Sequence, residues 1–283
     1  MLKYSNSQQT LLKGRIMKIG IIGLGKMGET IVQGLRRSPD AHALSISGTT
    51  RSAESAAEAS KRLNIECHTD NQKLATASDV ILLCVKPHQS EKVLRSISEQ
   101  LDSRKLLISI VASITTEQLH DWSGKTPAAI IRTMPNTPCL IGEGMTVLCA
   151  GPGAEQNHVA KAKQIFETVG KTAVIEESLM DGATGLSGCG PAYIYLIIEA
   201  LSEAGVKVGL PRKISTLLAA QTLLGASKMV LDRAAHPAAL KDEVTTPAGC
   251  TIDGLMALEE GKLRVTLIKA VLAAAKRSKT LRG

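Results

Sequence analysis

Lys18-Ile19-Gly20-Ile21-Ile22-Gly23-Leu24-Gly25-Lys26-Met27-Gly28 runs a short apolar segment directly into a G-x-G-x-x-G sequence. The apolar run reads as a buried strand, and a helical pattern follows over residues 27–37. In the order strand, glycine turn, helix, each glycine has a task. Gly23 makes the turn, Gly25 lets backbone approach a pyrophosphate, and Gly28 permits close helix–strand packing. The start of the helix adds N–H donors and the positive end of its dipole. Gly23, Leu24, Gly25, Lys26, Met27 and Gly28 are therefore expected at the phosphates of a dinucleotide cofactor.

Moving outward, residues 44–47 read as a second strand and 53–63 as an alanine-rich helix. Residues 79–85 are apolar after their first residue, as a parallel strand covered on both faces should be, and 106–111 and 129–133 repeat that character. Strands alternating with helical stretches predict βαβ units and a doubly wound sheet. Residues 145–150 and 172–175 look like a hairpin pair around a helix over 155–169. Past Glu176 the strand pattern stops. Residues 191–208, 212–231 and 264–281 are long Ala- and Leu-rich helical stretches, apolar on more than one face, which predicts packing between subunits. The expected fold class is α/β: an N-terminal Rossmann-like doubly wound sheet over 17–176, then a C-terminal all-α substrate-binding and dimerisation domain over 177–283. Residues 1–16 read as a disordered extension, with Met17 as an alternative start.

The remaining composition narrows the class. A chain of 283 residues with 44% hydrophobic and 21% charged residues suits two globular domains and needs no metal or disulfide staple. The formal charge of +8 sits at the ends: residues 1–18 carry +4 and 262–283 carry +7, leaving −3 between them. Only five aromatics are present, so stacking platforms for nucleic acid are not expected. The longest unbroken apolar runs are too short to span a bilayer, and residues 1–16 lack the apolar core of an export signal. Six cysteines without a C-x-x-C pair suggest buried thiols in a reducing cytoplasm and no metal site.

The end of the second strand bears on which dinucleotide binds. NAD-type sites place an acid there to hold the ribose 2′-hydroxyl. This chain has Ser47-Gly48-Thr49-Thr50-Arg51-Ser52, with no carboxylate. Arg51 with the hydroxyl of Thr50 suits a 2′-phosphate, so NADP is the expected cofactor, with NADPH preferred over NADH. Val85-Lys86-Pro87 ends another strand, where ligands of open α/β sheets bind. Met134-Pro135-Asn136-Thr137-Pro138 is a rigid loop that either offers the Asn136 amide to the cofactor or is a plain turn. Two glycine-rich segments, 184–193 and 245–252, open helices; their N–H groups suit a carboxylate, and their small residues equally suit close helix contact.

Six segments in order carry a resemblance: GLGKMG (23–28), SDVILLCVKP (78–87), IIRTMPNTP (130–138), TGLSGCGPAY (184–193), VGLPR (208–212) and HPAALKDEVTTPAGCTI (236–252). Over about residues 17–275 the chain resembles the pyrroline-5-carboxylate reductases. The resemblance implies NAD(P)H-dependent reduction of L-1-pyrroline-5-carboxylate to L-proline, the last step of proline biosynthesis. It implies a homodimer interlocked through the helical domains, which in some members builds decamers. It assigns Asn71 to the adenosine ribose and Val85, Lys86 and Pro87 to a wall on the nicotinamide side. Backbone at Ala248, Gly249 and Cys250, with Thr246 alongside, is assigned to the substrate carboxylate. The catalytic contact falls to Thr251, whose hydroxyl faces the imine nitrogen. The chain departs from the family at Cys189, usually serine, and at Ala248, usually glycine, where φ must stay negative or the loop is strained. Two rivals stand beside this reading. β-Hydroxyacid dehydrogenases and imine reductases carry a catalytic Lys or Asp on the long interdomain helix, whereas residues 191–204 hold only Glu199 and Glu203. A cofactor sensor without turnover would not need the intact Thr251 segment.

Overall fold

A computed structural model describes residues 16–124 and 128–281. The extension expected over residues 1–16 thus lies outside the described residues, apart from Ile16. The first half runs β1 (Met17–Ile22), α1 (Lys26–Arg37), β2 (Leu44–Thr49), α2 (Ala53–Leu63), β3 (Glu66–His68), α3 (Asn71–Ala77), β4 (Val80–Leu83) and α4 (Pro87–Ser96). It continues through β5 (Leu106–Ser109), α5 (Thr116–Trp122), β6 (Ala129–Met134), β7 (Gly144–Ala150), α6 (Gln156–Glu167) and β8 (Gly170–Val174). Helices follow: α7 (Met180–Ala183), α8 (Gly190–Lys207), α9 (Arg212–Arg233), α10 (Pro237–Glu243), α11 (Cys250–Glu260) and α12 (Leu263–Thr280).

The eight strands form one sheet in the order β3-β2-β1-β4-β5-β6-β7-β8. The chain winds outward from β1 to β3, then returns to place β4 on the other side of β1, so the topological switch point lies between β1 and β4. The apolar strands are explained by coverage on both faces. In β4, Val80 and Leu82 join a core with Ile19, Ile21, Ile31 and Phe166, while Ile81 and Leu83 join a second core with Ile22, Leu94, Leu107 and Ile130.

The expected hairpin is not present. β7 and β8 pair in parallel, from Gly144 opposite Gly170 to Leu148 opposite Val174. The antiparallel pair is β6 with β7. The helix α6 supplies the dozen or more residues that a parallel crossover requires, whereas a hairpin needs only a short turn. Among the elements the sequence pattern does not single out are the three-residue β3 and the seven-residue α3, both too short to show a period. β2 also reaches further than expected, through Gly48 to Thr49. Its bare glycine lets Leu24 pack over it, since a Cβ on Gly48 would lie 2.6 Å from Leu24 Cδ1.

The chain divides into two compact units. The first holds the described residues up to Gly188 and those from Ala275 to Leu281; the second is Cys189–Ala274. The sequence boundary after Glu176 falls twelve residues earlier than Gly188. Residues just past it pack on the sheet: Met180 is fully buried with Val147 and Cys149, and Glu177 reaches Arg132 of β6. Ser278 of α12 closes the first unit by donating to Asp181 Oδ1 at 2.9 Å.

In the second unit α8 and α9 pack through small residues. A Cβ on Gly205 would lie 2.5 Å from Ser215 Oγ, and the hydroxyls of Ser202 and Thr216 share a hydrogen bond of 2.8 Å. Leu196, Leu217 and Leu272 are each more than 60% exposed within the single chain. α9 is, among the described residues, long and apolar enough by length and composition to cross a membrane, a property its count of unbroken apolar residues does not reveal.

Candidate active site

The glycine segment sits on the switch point. Gly23 has φ +97°, and a Cβ there would lie 2.9 Å from the Cys84 carbonyl oxygen and 3.1 Å from Val85 Cγ1. Only glycine enters that conformation without strain. The N–H groups of Gly23 and Leu24 both donate to the carbonyl of Thr49, at 3.1 and 3.2 Å, tying the turn to the end of β2. Gly28 is buried, and a Cβ there would meet the Gly23 carbonyl at 2.5 Å. Gly25 differs: it is the N-cap of α1, is exposed, and has nothing within 4 Å of its would-be Cβ. No side chain caps α1. A twelve-residue helix therefore begins with N–H groups that no side chain satisfies, beside open space, which is the cradle a pyrophosphate fits. Lys26 is exposed at the same end, while Leu24 and Met27 turn toward the core.

Thr50 and Arg51 lie one and two residues past β2. Thr50 N–H donates to the carbonyl of His68 at 3.1 Å, and its hydroxyl to the carbonyl of Ser52 at 3.0 Å. Arg51 is exposed and makes no ion pair among the described residues. Asn71 opens α3 after its cap, Asp70, and its Oδ1 accepts the Thr49 hydroxyl at 2.7 Å. The fold thus gathers Thr50, Arg51 and Asn71 at the end of β2, and Val85, Lys86 and Pro87 beside the glycine turn at the end of β4. Lys86 is the exposed N-cap of α4, and its carbonyl accepts from Gln89 N–H at 2.9 Å. The neighbouring thiol of Cys84 is pushed up to about 12 by burial, so it is no nucleophile.

Asn136 has internal work. Its Nδ2 donates to the Ser187 carbonyl at 3.1 Å, and its Oδ1 accepts from Met145 N–H at 2.9 Å. The amide fastens the β6–β7 loop to the turn at Thr184–Gly188, a π-helical turn that precedes α8.

The segment around Thr251 belongs to the second unit. Gly249 N–H donates to the Thr246 carbonyl at 3.1 Å, closing a turn with Pro247 and Ala248 in the middle. Ala248 has φ +57°, which makes this a type II turn, with alanine where glycine is favoured. The strain foreseen for a positive φ is therefore present, at about 1–2 kcal/mol. Gly249 is the N-cap of α11, which no side chain caps, and a Cβ on it would lie 2.4 Å from Thr246 Oγ1. Cys250, exposed, and Thr251, half-buried, are the first two residues of α11. Asp253 also stands in that first turn, so the positive helix end is shared with one carboxylate.

Two groupings were not apparent from sequence. Thr49 holds the glycine turn with its carbonyl and Asn71 with its hydroxyl. Glu177 accepts from Thr116 N–H and from Arg132 Nη1, each at 2.8 Å, and from the Thr116 hydroxyl. Burial opposes ionisation of Glu177, but these hydrogen bonds outweigh it and hold the carboxyl below its ordinary range. The clue was Arg132 alone in the apolar strand Ala129–Met134: a buried guanidinium needs a partner.

Comparison with known proteins agrees with this anatomy. Residues 177–281 match the family model for pyrroline-5-carboxylate reductase dimerisation, and residues 18–113 match one described as NADP oxidoreductase, coenzyme F420-dependent. A pyrroline-5-carboxylate reductase of Arabidopsis thaliana is 40% identical over 264 residues, covering 93% of this chain and 95% of that protein. The structure of a pyrroline-5-carboxylate reductase from Coxiella burnetii superposes with a TM-score of 0.89 at 35% identity, covering 95% of this chain and all of that one. A pyrroline carboxylate reductase from Plasmodium falciparum, solved with NADP bound, gives a TM-score of 0.82, again at 35% identity and with 95% of this chain and all of that one covered. The sheet domain is accordingly an NAD(P)-binding domain, and the helices after it form a dimerisation domain. With likeness running through both halves and nearly the whole length, the chain belongs to the pyrroline-5-carboxylate reductase family.

Proposed function

We propose that the chain takes its hydride from NADPH in preference to NADH and works as a homodimer. Its activity is reduction of the C=N bond of L-1-pyrroline-5-carboxylate to give L-proline. The uncapped start of α1 behind an unobstructed Gly25 supports dinucleotide binding, and the observation that carries the NADPH preference is the exposed Arg51 beside Thr50, with no carboxylate at the end of β2. When bound, the nicotinamide supplies the hydride. Gly25 to Gly28 hold the pyrophosphate on backbone N–H groups, while Gly23 and Leu24, whose N–H groups bind the Thr49 carbonyl, shape the turn. Thr50 and Arg51 take the 2′-phosphate, Asn71 the ribose, and Val85, Lys86 and Pro87 wall the nicotinamide side. On α11, backbone at Ala248, Gly249 and Cys250, with Thr246, holds the substrate carboxylate. Thr251 then donates its hydroxyl hydrogen bond to the ring nitrogen; as the carbon takes the hydride, the C=N π pair passes to that nitrogen, which takes up one proton from solvent. The match of residues 177–281 to a dimerisation family and the exposed leucines of α8, α9 and α12 support pairing through the helices. Six free cysteines fit a reducing cytoplasm.

Oxidation of NADPH and of NADH, followed with the cyclic imine as substrate, tests the reading directly. Arg51→Ala should weaken NADPH binding by about 1–3 kcal/mol, the scale of a charge-assisted hydrogen bond, and barely change NADH. Equal losses for the two cofactors would mean that Arg51 does not meet a 2′-phosphate.

Thr251→Val keeps the shape of the first turn of α11 and removes one hydrogen bond. If that bond strengthens as the nitrogen gains charge, kcat falls rather than KM alone rising. The expected loss in kcat/KM is about 1–3 kcal/mol, with Thr251→Ser retaining most activity. A valine variant that reduces the imine at the parent rate, with NADPH binding intact, removes the hydroxyl from the mechanism.

A further inference from the structure

The adenosine ribose of a nucleotide on this kind of sheet lies at the carboxyl end of the second strand. Four side chains gather there: Thr49, Thr50, Arg51 and Asn71. Arg51 only donates. The strongest acceptor of the four is Asn71 Oδ1, and the Thr49 hydroxyl already donates to it at 2.7 Å. Thr49 is 1% exposed, so its hydroxyl has no water to turn to, and the bond holds the plane of the amide. With Oδ1 on the Thr49 side, the two Nδ2 hydrogens point the other way.

We propose that Thr49 is a positioning residue for cofactor choice: by holding Oδ1 of Asn71 on its own side, its hydroxyl turns the Nδ2 donors of Asn71, together with Arg51, toward the ribose. A 2′-phosphate has oxygens for all of them. A ribose 2′-hydroxyl is best held by an acceptor, such as the acid that NAD sites use, and finds none from these two residues. The inference rests on the reading that NADPH is preferred. The same residue binds the glycine turn through its carbonyl, which no side-chain substitution removes, so the hydroxyl can be tested alone.

The experiment compares kcat and KM for NADPH and NADH in the full chain and in Thr49→Val, Thr49→Ser and Asn71→Ala, with thermal melts of each. Thr49→Val keeps the branched shape that suits a buried strand. It should raise KM for NADPH about fivefold to tenfold, the worth of about one hydrogen bond, with little change in kcat. KM for NADH should move less or fall, because a freed amide can turn its oxygen to the 2′-hydroxyl. The ratio of kcat/KM between the cofactors should therefore drop about fivefold to tenfold and return in Thr49→Ser. Asn71→Ala should lower the same ratio, and adding Thr49→Val to it should lower it no further. If Thr49→Val does not fold, Asn71→Ala decides: equal losses for both cofactors overturn the proposal. An unchanged ratio in Thr49→Val, or parallel losses, overturns it as well. A parent enzyme without NADPH preference sinks the underlying reading before any variant is made, whereas a preference that survives Thr49→Val sinks only the role of Thr49.

Discussion

Gly25→Ala should leave the fold intact and weaken NADPH binding about 10- to 100-fold. An alanine Cβ there meets nothing within 4 Å, and φ of −90° is open to any residue. The methyl group therefore meets no steric obstacle in the apo protein, and its only cost there is the weaker preference for alanine at an N-cap. It occupies the space in which a pyrophosphate approaches the first turn of α1, and losing hydrogen bonds to a charged group costs about 1.5–3 kcal/mol. Gly28→Ala, three residues on, should behave differently. Helix propensity favours alanine by up to about 1 kcal/mol, but its Cβ would stand 2.5 Å from the Gly23 carbonyl, a backbone atom. Overpacking of that kind costs about 1–3 kcal/mol, so Gly28→Ala should lower stability and cofactor binding together. Calorimetric Tm and NADPH titration on the two variants check the pair. A Gly25→Ala protein that binds NADPH like the parent would move the pyrophosphate away from this turn.

Glu177→Ala should destabilise the sheet domain by about 2–4 kcal/mol. The Arg132 side chain is 3% exposed and that of Glu177 28%. Removing one partner leaves a buried guanidinium unpaired, a change worth about 3–5 kcal/mol for a fully enclosed pair and less here because water reaches the glutamate. For a chain of this size the fall in Tm should be on the order of 5–15 °C. The acid dependence has a definite sign. Glu177 titrates lower in the folded chain than in the unfolded one, since burial is outweighed by hydrogen bonds from Thr116 and Arg132. Its stabilisation is therefore complete above the unfolded value of about 4.3 and is lost as pH falls through the folded value. Glu177→Gln cannot titrate, so its Tm should fall less steeply than the parent's from pH 5 downward. Parallel slopes would mean that the carboxylate does not carry this part of the acid response.

The turn that precedes α11 shows where local pattern and tertiary demand disagree. Pro247 and the hydrogen bond from Gly249 to Thr246 suit a type I or a type II turn, and it is the positive φ of Ala248 that makes this one type II, the turn in which that position favours glycine. The departure from glycine was visible in sequence; the conformation that makes it costly required the closed turn.

Much of the molecule follows from local rules that need no partner. Apolar strands, the order strand, glycine turn and helix, and the absence of an acid after β2 are properties of contiguous residues, so the α/β class was legible, and a candidate phosphate site could be named, from residues 18–51. The helical half was legible for the same reason, since α8, α9 and α12 run 18 to 22 residues each. What sequence could not contain is the pairing of residues far apart in the chain. The direction of β8 against β7 depends on how a helix crosses the sheet. The bond from Thr49 to Asn71 spans 22 positions and that from Arg132 to Glu177 spans 45. Gly25 and Gly28 look alike in the motif, yet one faces open space and the other a carbonyl, because only the packed turn decides which atoms surround a missing Cβ.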